Sequence, residues 1–349
     1  MTRPAGPGRR WAPLGALLLV VAVGILSAGA QEAGDDFYRS QTIRIMVNAT
    51  GGGFDASARS LARHLGRYIP GNPAVVVETM SGAGGLVAAN YLYRVAKPDG
   101  LTLAHFSGDL LLGEVLGRPG IEFDARRFEY LGTGSNEHIA CAFSRASGIT
   151  SLDRWLAART PVKMGGTAPG SNSDNATRIL KAVLGLPIQL VSGYKGTAAI
   201  RLAVESGELA GACFNWASMR TAWEHALSSG EVIVVLQLSA RSLPDLPKVP
   251  VVTELARTED ARRLVSATII RASGLARPYA APPGTPKDRV QLLRRAFLAT
   301  LRDPEYLAEA GKARLEVSPT RGEDVERLVA ELFTLDPPTI ARLRAILFD

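Results

Sequence analysis

The stretch Ile43–Arg59 constrains the fold most strongly, because an apolar run breaks into three consecutive glycines and then into a helical pattern. The run Ile43–Val47 is typical of a strand buried on both faces of a sheet. In the turn Thr50–Asp55, glycines let the backbone approach a ligand, and the free N–H groups of the following helix attract anions. The stretch therefore predicts a strand, a turn and a helix with an anion site at the turn.

The same order of strand, turn and helix returns along the chain. Val75–Val77 leads into a second glycine-rich turn, and Leu101–Phe106 leads into Ser107-Gly108-Asp109. A second group of apolar runs follows at Ile139–Phe143, Val162–Met164, Ile188–Val191, Leu209–Phe214 and Val232–Leu238. This repetition predicts an α/β protein with doubly wound sheets and ligands at the carboxyl ends of the strands.

A length of 349 residues fits two domains better than one core. We expect a first lobe made of residues 31–137 and 240–349, and a second lobe at 138–239. The proline-rich segment Arg241–Pro250 is predicted to connect back to the first lobe. The helices of the tail, Asp303–Phe348, are predicted to pack on that lobe as well.

Residues 1–30 have the pattern of a signal peptide. Arg9-Arg10 precede the apolar run Trp11–Leu26, and Ala28-Gly29-Ala30 fits the small-x-small cleavage rule. The alternative is an N-terminal membrane anchor, since the run approaches spanning length. The signal peptide predicts export from the cytoplasm.

The bulk chemistry excludes several classes of protein. The formal charge is +7, but there is no basic block interleaved with aromatic residues, so nucleic-acid binding is not expected. The four histidines have no metal-ligand spacing, and neither a metal nor a cofactor is predicted. Cys141 and Cys213 either pair or remain as two buried thiols. No Gly-x-Ser-x-Gly elbow precedes a usable histidine, so an enzyme is not expected.

Polar turns of the second lobe are further candidates for ligand binding. Thr167–Ser173 places hydroxyls beside a helix N-terminus, where N-capping is the alternative role. Tyr194 and Lys195 follow another strand, and a solvated lysine is the alternative there. Asn215 at a strand end would contact a ligand or stabilise a turn. The alternative to ligand binding for the glycine-rich turns of the first lobe is close helix–sheet packing. The alternative roles of Asp55 are to cap its helix or to pair with Arg59.

Eight stretches, taken in order, make the chain similar to a known family. They are Ile43–Asp55, Val75–Gly85, Lys97-Pro98-Asp99-Gly100, Gly193–Thr197, Gly207–Asn215, Arg241–Glu254, Ala281–Pro286 and Asp303-Pro304-Glu305. Across nearly all of the mature chain, the sequence resembles the substrate-binding proteins of tripartite tricarboxylate transporters, the Bug family of periplasmic solute receptors.

The resemblance implies a type II periplasmic-binding fold, in which two lobes are joined by two crossing strands. It also implies a monomer that holds a small carboxylate between the lobes, through loop amides, hydroxyls and water, for membrane permease subunits. The positions carried over as ligand contacts are Thr50, Gly51, Gly52, Gly53, Asp55, Ser81, Gly82, Ala83, Gly84, Gly85, Ser107, Thr167, Gly170, Ser171, Ser173, Tyr194, Lys195, Gly196, Thr197 and Asn215.

The chain departs from the family pattern at Asn48-Ala49-Thr50, at Asp174, at Asn215 and over Leu111–Asn136. These departures do not change the expected fold, but they leave the identity of the ligand open. A carboxylate at Asp174 would repel an anion unless it points away from the cleft. Two other functions are weighed beside transport: a periplasmic sensor that feeds a membrane kinase, and a secreted α/β hydrolase.

Overall fold

A computed structural model describes residues 1–2, 37–47 and 52–348. The predicted signal peptide, beyond its first two residues, lies outside this part of the chain. So do the lead-in Asn48-Ala49-Thr50 and the candidate contacts Thr50 and Gly51. No helix within the described ranges combines the length and apolar character needed to cross a bilayer.

Eleven strands occur in the described part of the chain. They are β1 Thr42–Val47, β2 Ala74–Thr79, β3 Thr102–His105, β4 Glu129–Thr133, β5 Ile139–Ser144, β6 Val162–Gly165, β7 Ile188–Val191, β8 Gly211–Asn215, β9 Val232–Leu238, β10 Pro278–Ala281 and β11 Thr320–Arg321.

The α-helices of the same residues are α1 Gly52–Leu65, α2 Leu86–Arg94, α3 Asp109–Val115, α4 Leu152–Leu156, α5 Asn172–Leu184, α6 Thr197–Glu205, α7 Trp216–Ala222, α8 Glu224–Ser228, α9 Val252–Leu255, α10 Glu259–Val265, α11 Arg271–Leu275, α12 Lys287–Thr300, α13 Pro304–Lys312, α14 Gly322–Leu332 and α15 Pro337–Leu347. A π-helical turn, Ser266–Ile270, joins α10 to α11.

The strands form two mixed sheets. The first has the order β11-β4-β10-β3-β1-β2, and the second has the order β7-β6-β8-β5-β9. The predicted βαβ units supply the parallel pairs β1 with β2, β1 with β3, and β6 with β7. The chain passes from the first sheet to the second between β4 and β5, and it re-enters the first sheet at β10. The prediction of an α/β fold with two sheets is confirmed.

Burial follows the alternation of side chains along the strands. In β1, Ile43, Ile45 and Val47 pack under α1 and α12, whereas Met46 faces a cluster on the other side of the sheet. That second cluster continues to Cys141 and Phe143 of the second sheet and to Trp155 of α4. The two halves therefore share one apolar core.

Two expectations about the connections are wrong. Arg241–Pro250 stays with the second sheet, because the buried side chain of Gln237 donates to the carbonyl of Val249 at 2.6 Å and accepts from the amide of Leu243 at 2.8 Å. In the tail, α13 packs on α1 and α14 on β4 of the first sheet, but the last helix, α15, packs against α5 beside the second sheet. The lobe boundaries at 137/138 and 239/240 remain a prediction.

The state of the cysteines, left open by the sequence, is a disulfide between Cys141 and Cys213. The two residues lie opposite each other on the antiparallel strands β5 and β8, with their Cα atoms 4.0 Å apart. Both are completely buried. The bridge thus joins two neighbouring strands in the middle of the second sheet.

Candidate ligand-binding cleft

The cleft lies where the strand ends of the two sheets face each other. On the first sheet, β1 and β3 end side by side, with Val47 opposite His105, and α1 begins nearby. On the second sheet, β8 ends at Asn215, which lies opposite the start of β5 at Ile139. The segment 134–138 connects the two edges, so it forms part of the cleft itself.

Two adjoining cavities of about 420 and 690 Å³ fill the cleft. Both volumes fall in the range of small-molecule sites. Five residues line both cavities: Glu137, Thr197, Asn215, Ser218 and Arg277. The smaller cavity extends along α1 past His105 and Tyr279, and the larger one extends between Ser107 and the loop before α5.

An ion pair lies at the boundary between the cavities. Nε of Arg277 donates to Oε1 of Glu137 at 2.5 Å, and the side chains are only 16% and 11% exposed. The second oxygen of Glu137 accepts from Nδ2 of Asn172, at the start of α5, at 2.9 Å. The guanidinium also lies 4.6 Å from the ring centroid of Phe54. Glu137 therefore links the first sheet, the crossing segment and the second sheet.

His105 is a buried neutral side chain of the smaller cavity. Burial, with the positive charge of Arg277 as a second cause, lowers its pKa to about 3. Its ring stacks on Tyr279 at 4.0 Å. Nδ1 lies 3.2 Å from the carbonyl oxygen of Pro278, so Nδ1 carries the proton, and Nε2 lies 3.2 Å from the hydroxyl oxygen of Ser57. The histidine thus offers no charge to a ligand.

Asp109 is a carboxyl that lines the larger cavity together with Glu137. Burial, with the charge of Glu137 as a second cause, raises its pKa to about 6 against the opposing effects of the Ser107 hydroxyl and Arg118. The hydroxyl of Ser107 donates to it at 3.1 Å. Arg118 lines the same cavity. Glu137 is already paired with Arg277. The positive charges of Arg277 and Arg118 therefore make this region favourable to an anion, and it is more favourable when Asp109 is protonated.

Asp174 points away from the cleft. Its carboxylate is completely buried and accepts from the hydroxyls of Ser192 at 2.5 Å and Ser171 at 3.1 Å. The hydroxyl of Ser171 also caps α5 by accepting from the amide of Asp174 at 3.4 Å. Ser171 lines the larger cavity, whereas Asp174 lines neither cavity, so this carboxylate is bound by its serine partners and is not presented to a ligand.

The start of α6 supplies uncapped backbone donors to both cavities. Gly196, which has a φ of 101°, precedes the helix and provides no side-chain cap. The first amides of a helix have no intrahelical acceptor, so those of the turn that begins at Thr197 are available. Asn215 also lines the cleft, but its side-chain oxygen accepts from the amide of Ser218 at 2.9 Å and caps α7.

The structure brings ten of the predicted contacts to the cavities: Gly53, Ala83, Ser107, Thr167, Gly170, Ser171, Ser173, Gly196, Thr197 and Asn215. Six others do not line either cavity: Asp55, Ser81, Gly82, Gly85, Tyr194 and Lys195. Gly52 and Gly84 remain predicted contacts.

Local partners explain several of the residues that lie outside the cavities. The predicted turn through Asp55 is wrong in its extent, since α1 already begins at Gly52 and Asp55 is part of its first turn. There the carboxylate accepts from Nε of Arg59 at 2.9 Å, the pairing that the sequence offered as one alternative. The hydroxyl of Tyr194 donates to Glu208 at 2.6 Å, and Lys195 is exposed.

Sequence reasoning missed the charged centre of the cleft. Arg277, Glu137 and Asn172 come from three separate segments, and 140 positions separate the two ionic partners. Arg277 belongs to no glycine-rich or hydroxyl-rich turn. Glu137 follows Gly132-Thr133-Gly134-Ser135-Asn136 at the predicted boundary between the lobes, and this glycine- and hydroxyl-rich segment was the signal that could have found it.

The comparisons with known proteins agree with this architecture. The family profile of TctC, the tripartite tricarboxylate transporter family receptor, matches residues 57–343. Among curated proteins no significant sequence match is found. A TctC solute-binding protein from Polaromonas, solved with no ligand, superposes with a TM-score of 0.68 at 18% identity, covering 89% of this chain and 99% of that one.

Two solved structures with ligands are also similar. MatC from Rhodopseudomonas palustris with bound malate has a TM-score of 0.63 at 19% identity, covering 88% of this chain and 99% of that one. Rpa4515 from R. palustris with adipate has a TM-score of 0.65 at 20% identity, covering 88% and 98%. At these identities the likeness shows the fold, and it confirms the predicted periplasmic-binding architecture. The profile covers most of the sequence and describes receptors, not enzymes, and on that ground this chain belongs to the TctC family of tripartite tricarboxylate transporter receptors.

Proposed function

We propose that this protein binds a small carboxylate in the cleft and delivers it, in the periplasm, to the permease subunits of a tripartite tricarboxylate transporter. The role of a receptor follows from family membership. The ligand class, the compartment and the permease partner are the proposed parts. MatC with malate and Rpa4515 with adipate, which share the fold, support a carboxylate as the ligand class.

The observation that carries the proposal is the convergence of anion-binding groups on one cleft. The first turn of α1 and the uncapped start of α6 approach from opposite sheets. Arg277 and Arg118 add two positive charges, and within the described residues only Glu137 is hydrogen-bonded to either guanidinium group. Amides at helix starts and guanidinium groups are both good partners for carboxylates.

Calorimetric titration tests the ligand class. We expect the purified protein to bind at least one of malate, succinate, adipate, benzoate and aspartate, and to be stabilised by it in thermal denaturation. Matching uncharged amides should bind much more weakly. Absence of binding to all five acids, together with no small acid released from the protein on denaturation, would contradict the proposal.

Localisation and delivery need separate measurements. The full-length chain expressed in a Gram-negative host should be recovered from the periplasmic fraction without residues 1–30. Uptake of the bound acid should depend on this protein and on co-expressed permease subunits. A chain that remains in the membrane fraction with its N-terminus intact would instead support the membrane-anchor alternative.

A further inference from the structure

Arg277 has more hydrogen-bonding capacity than its protein partners use. Its hydrogen bonds to described residues are made by Nε alone, which donates to Glu137. An arginine carries five N–H donors in a planar fork, and four of them are on the two outer nitrogens. The side chain lines both cavities, so those outer donors border the space where a ligand would lie.

The guanidinium is held in a fixed place. Glu137 binds one edge, and Phe54 of α1 lies against the plane at 4.6 Å. Gly53 allows this approach, because a Cβ atom at that position would lie only 2.6 Å from Nη1. Glu137 is itself fixed by Asn172 from the second sheet. Such support pre-organises the fork, and a pre-organised group loses less entropy when it binds.

The charges around the guanidinium favour a further anion. Its outer nitrogens lie beside Gly53 in the first turn of α1, which is the positive end of that helix. His105 nearby is neutral. Glu137 balances one positive charge, and the helix terminus leaves a positive potential beside it. A carboxylate at this position would interact favourably with both.

We propose that Arg277 determines the ligand preference of this protein by binding one carboxylate of the ligand through Nη1 and Nη2, with Glu137 as its positioning residue. The inference rests on the proposed function and deepens it. A two-point contact to a planar carboxylate discriminates against amides and alcohols of the same shape. Glu137 does not touch the ligand and acts by orienting the guanidinium.

The test compares four proteins: wild type, Arg277→Gln, Arg277→Lys and Arg295→Gln. Arg295 is an exposed arginine on α12 and serves as the matched control. Each is titrated calorimetrically with whichever of malate, succinate, adipate, benzoate and aspartate binds the wild type most tightly, and with the matching neutral amide. Circular dichroism and thermal denaturation report whether each variant is folded.

We expect Arg277→Gln to weaken carboxylate binding by about thirtyfold or more, because charge-assisted hydrogen bonds are lost. The affinity for the amide should change far less, so the ratio of acid affinity to amide affinity becomes smaller. If Arg277 had only a structural role, the affinities for the acid and for the amide would fall equally. Arg277→Lys keeps the charge without the fork and should lose about tenfold. Arg295→Gln should match the wild type.

The possible failures are distinct. Carboxylate binding by Arg277→Gln within threefold of the wild type would overturn the role of Arg277 and leave the proposed function standing. An equal loss of affinity for the acid and for the amide would also overturn the role of Arg277. If Arg277→Gln does not fold, Arg277→Lys decides, and unchanged affinity in that variant overturns the proposal. A wild type that binds none of the five acids overturns the proposed function and the role of Arg277 together.

Discussion

Asn172 and Glu137 are joined by a hydrogen bond of 2.9 Å that connects the start of α5 to the segment between the two sheets. Glu137 uses its other oxygen for Arg277. Removing the amide of Asn172 leaves a largely buried carboxylate oxygen without that donor, and it loosens the position of the guanidinium. The bond therefore connects the geometry of the second sheet to the charged centre of the cleft.

We predict that Asn172→Ala weakens carboxylate binding about five- to tenfold, which corresponds to a typical net hydrogen-bond contribution of about 1 kcal/mol. Calorimetry measures the change. Asn90→Ala is the matched control, since Asn90 hydrogen-bonds to Gly120 and Glu122 away from both cavities. That variant should lower the melting temperature without changing affinity. Equal affinity losses in the two variants would contradict the link.

Asp109 predicts a pH dependence of binding. Its pKa is raised to about 6, so the carboxyl gains a proton as the pH falls from 8 to 6 and its repulsion of an anion decreases. Affinity for adipate should therefore rise several-fold over that range in the wild type, beyond any change in Asp109→Asn. Titration of adipate itself is common to both proteins. Parallel profiles for the two would show that Asp109 does not act on the ligand.

The raised pKa of Asp109 also makes the stability of the fold depend on pH. The folded-state pKa lies above the ordinary value of 3.8, so the folded protein holds more protons than the unfolded chain between about pH 4 and 6. Ionisation of Asp109 thus destabilises the fold as the pH rises through that window. We predict that the melting temperature of Asp109→Asn, relative to the wild type, increases from pH 4 to pH 7. A constant difference would contradict the burial of this charge.

The repeated units were predictable because parallel strands and their helices leave regular local patterns. The run Ile43–Val47 and the glycines after it identified the first βα unit, and Thr197 was found because hydroxyls and glycines concentrate at helix starts. The ion pair at the centre of the cleft has no such pattern. Arg277 and Glu137 meet only through the tertiary fold, and an isolated arginine or glutamate in a sequence is usually a solvated side chain.

The predictions about the connections were wrong for a related reason. Arg241–Pro250 is extended and proline-rich, as a crossing segment would be, but the buried amide of Gln237 binds its backbone to β9. Helix α15 is amphipathic and would fit either sheet by its pattern. Its position beside α5 depends on the return path of the chain, which no local sequence feature encodes.

The disulfide predicts a large change in stability on removal. Cys141 and Cys213 close a loop with a sequence separation of 72, for which the chain-entropy relation gives about 4 kcal/mol. We expect the double variant Cys141→Ala, Cys213→Ala to lose a few kcal/mol of unfolding free energy in urea denaturation. Reductant should destabilise the wild type and leave the double variant unchanged. Equal stability of the oxidised and reduced wild type would contradict a stabilising bridge.

The carboxylate of Glu309 on α13 is bound by three side chains of α1. Arg63 donates to it, as do the hydroxyl of Ser60 at 2.7 Å and Nε2 of His64 at 3.0 Å. The hydrogen bond from Arg63, followed by those from His64 and Ser60, lowers the pKa of Glu309 to about 2 against the opposing effect of burial. This cluster fixes the tail helix to the helix that begins at the cleft.

The lowered pKa of Glu309 determines how its contribution to stability changes with pH. The folded protein keeps Glu309 ionised below its ordinary pKa of 4.5, so the stabilisation is complete above about pH 5 and is lost as the pH falls towards 2. We predict that Glu309→Gln costs about 1 kcal/mol of unfolding free energy at pH 7, a value discounted for the partial exposure of the carboxylate. The difference from the wild type should shrink steadily between pH 5 and 3. Chemical denaturation across this range measures it.

Glu305→Gln is the matched control for that series. Glu305 of α13 accepts at 2.5 Å from Arg67, which lies just past the end of α1, but the side chain of Glu305 is 70% exposed. An exposed ion pair of this kind contributes little, because water and salt screen it. Glu305→Gln should therefore change stability by less than about 0.5 kcal/mol at any pH in the range. If Glu309→Gln behaves in the same way, the stabilisation of α13 on α1 comes from apolar packing around Tyr306 and Leu61 and not from the carboxylate.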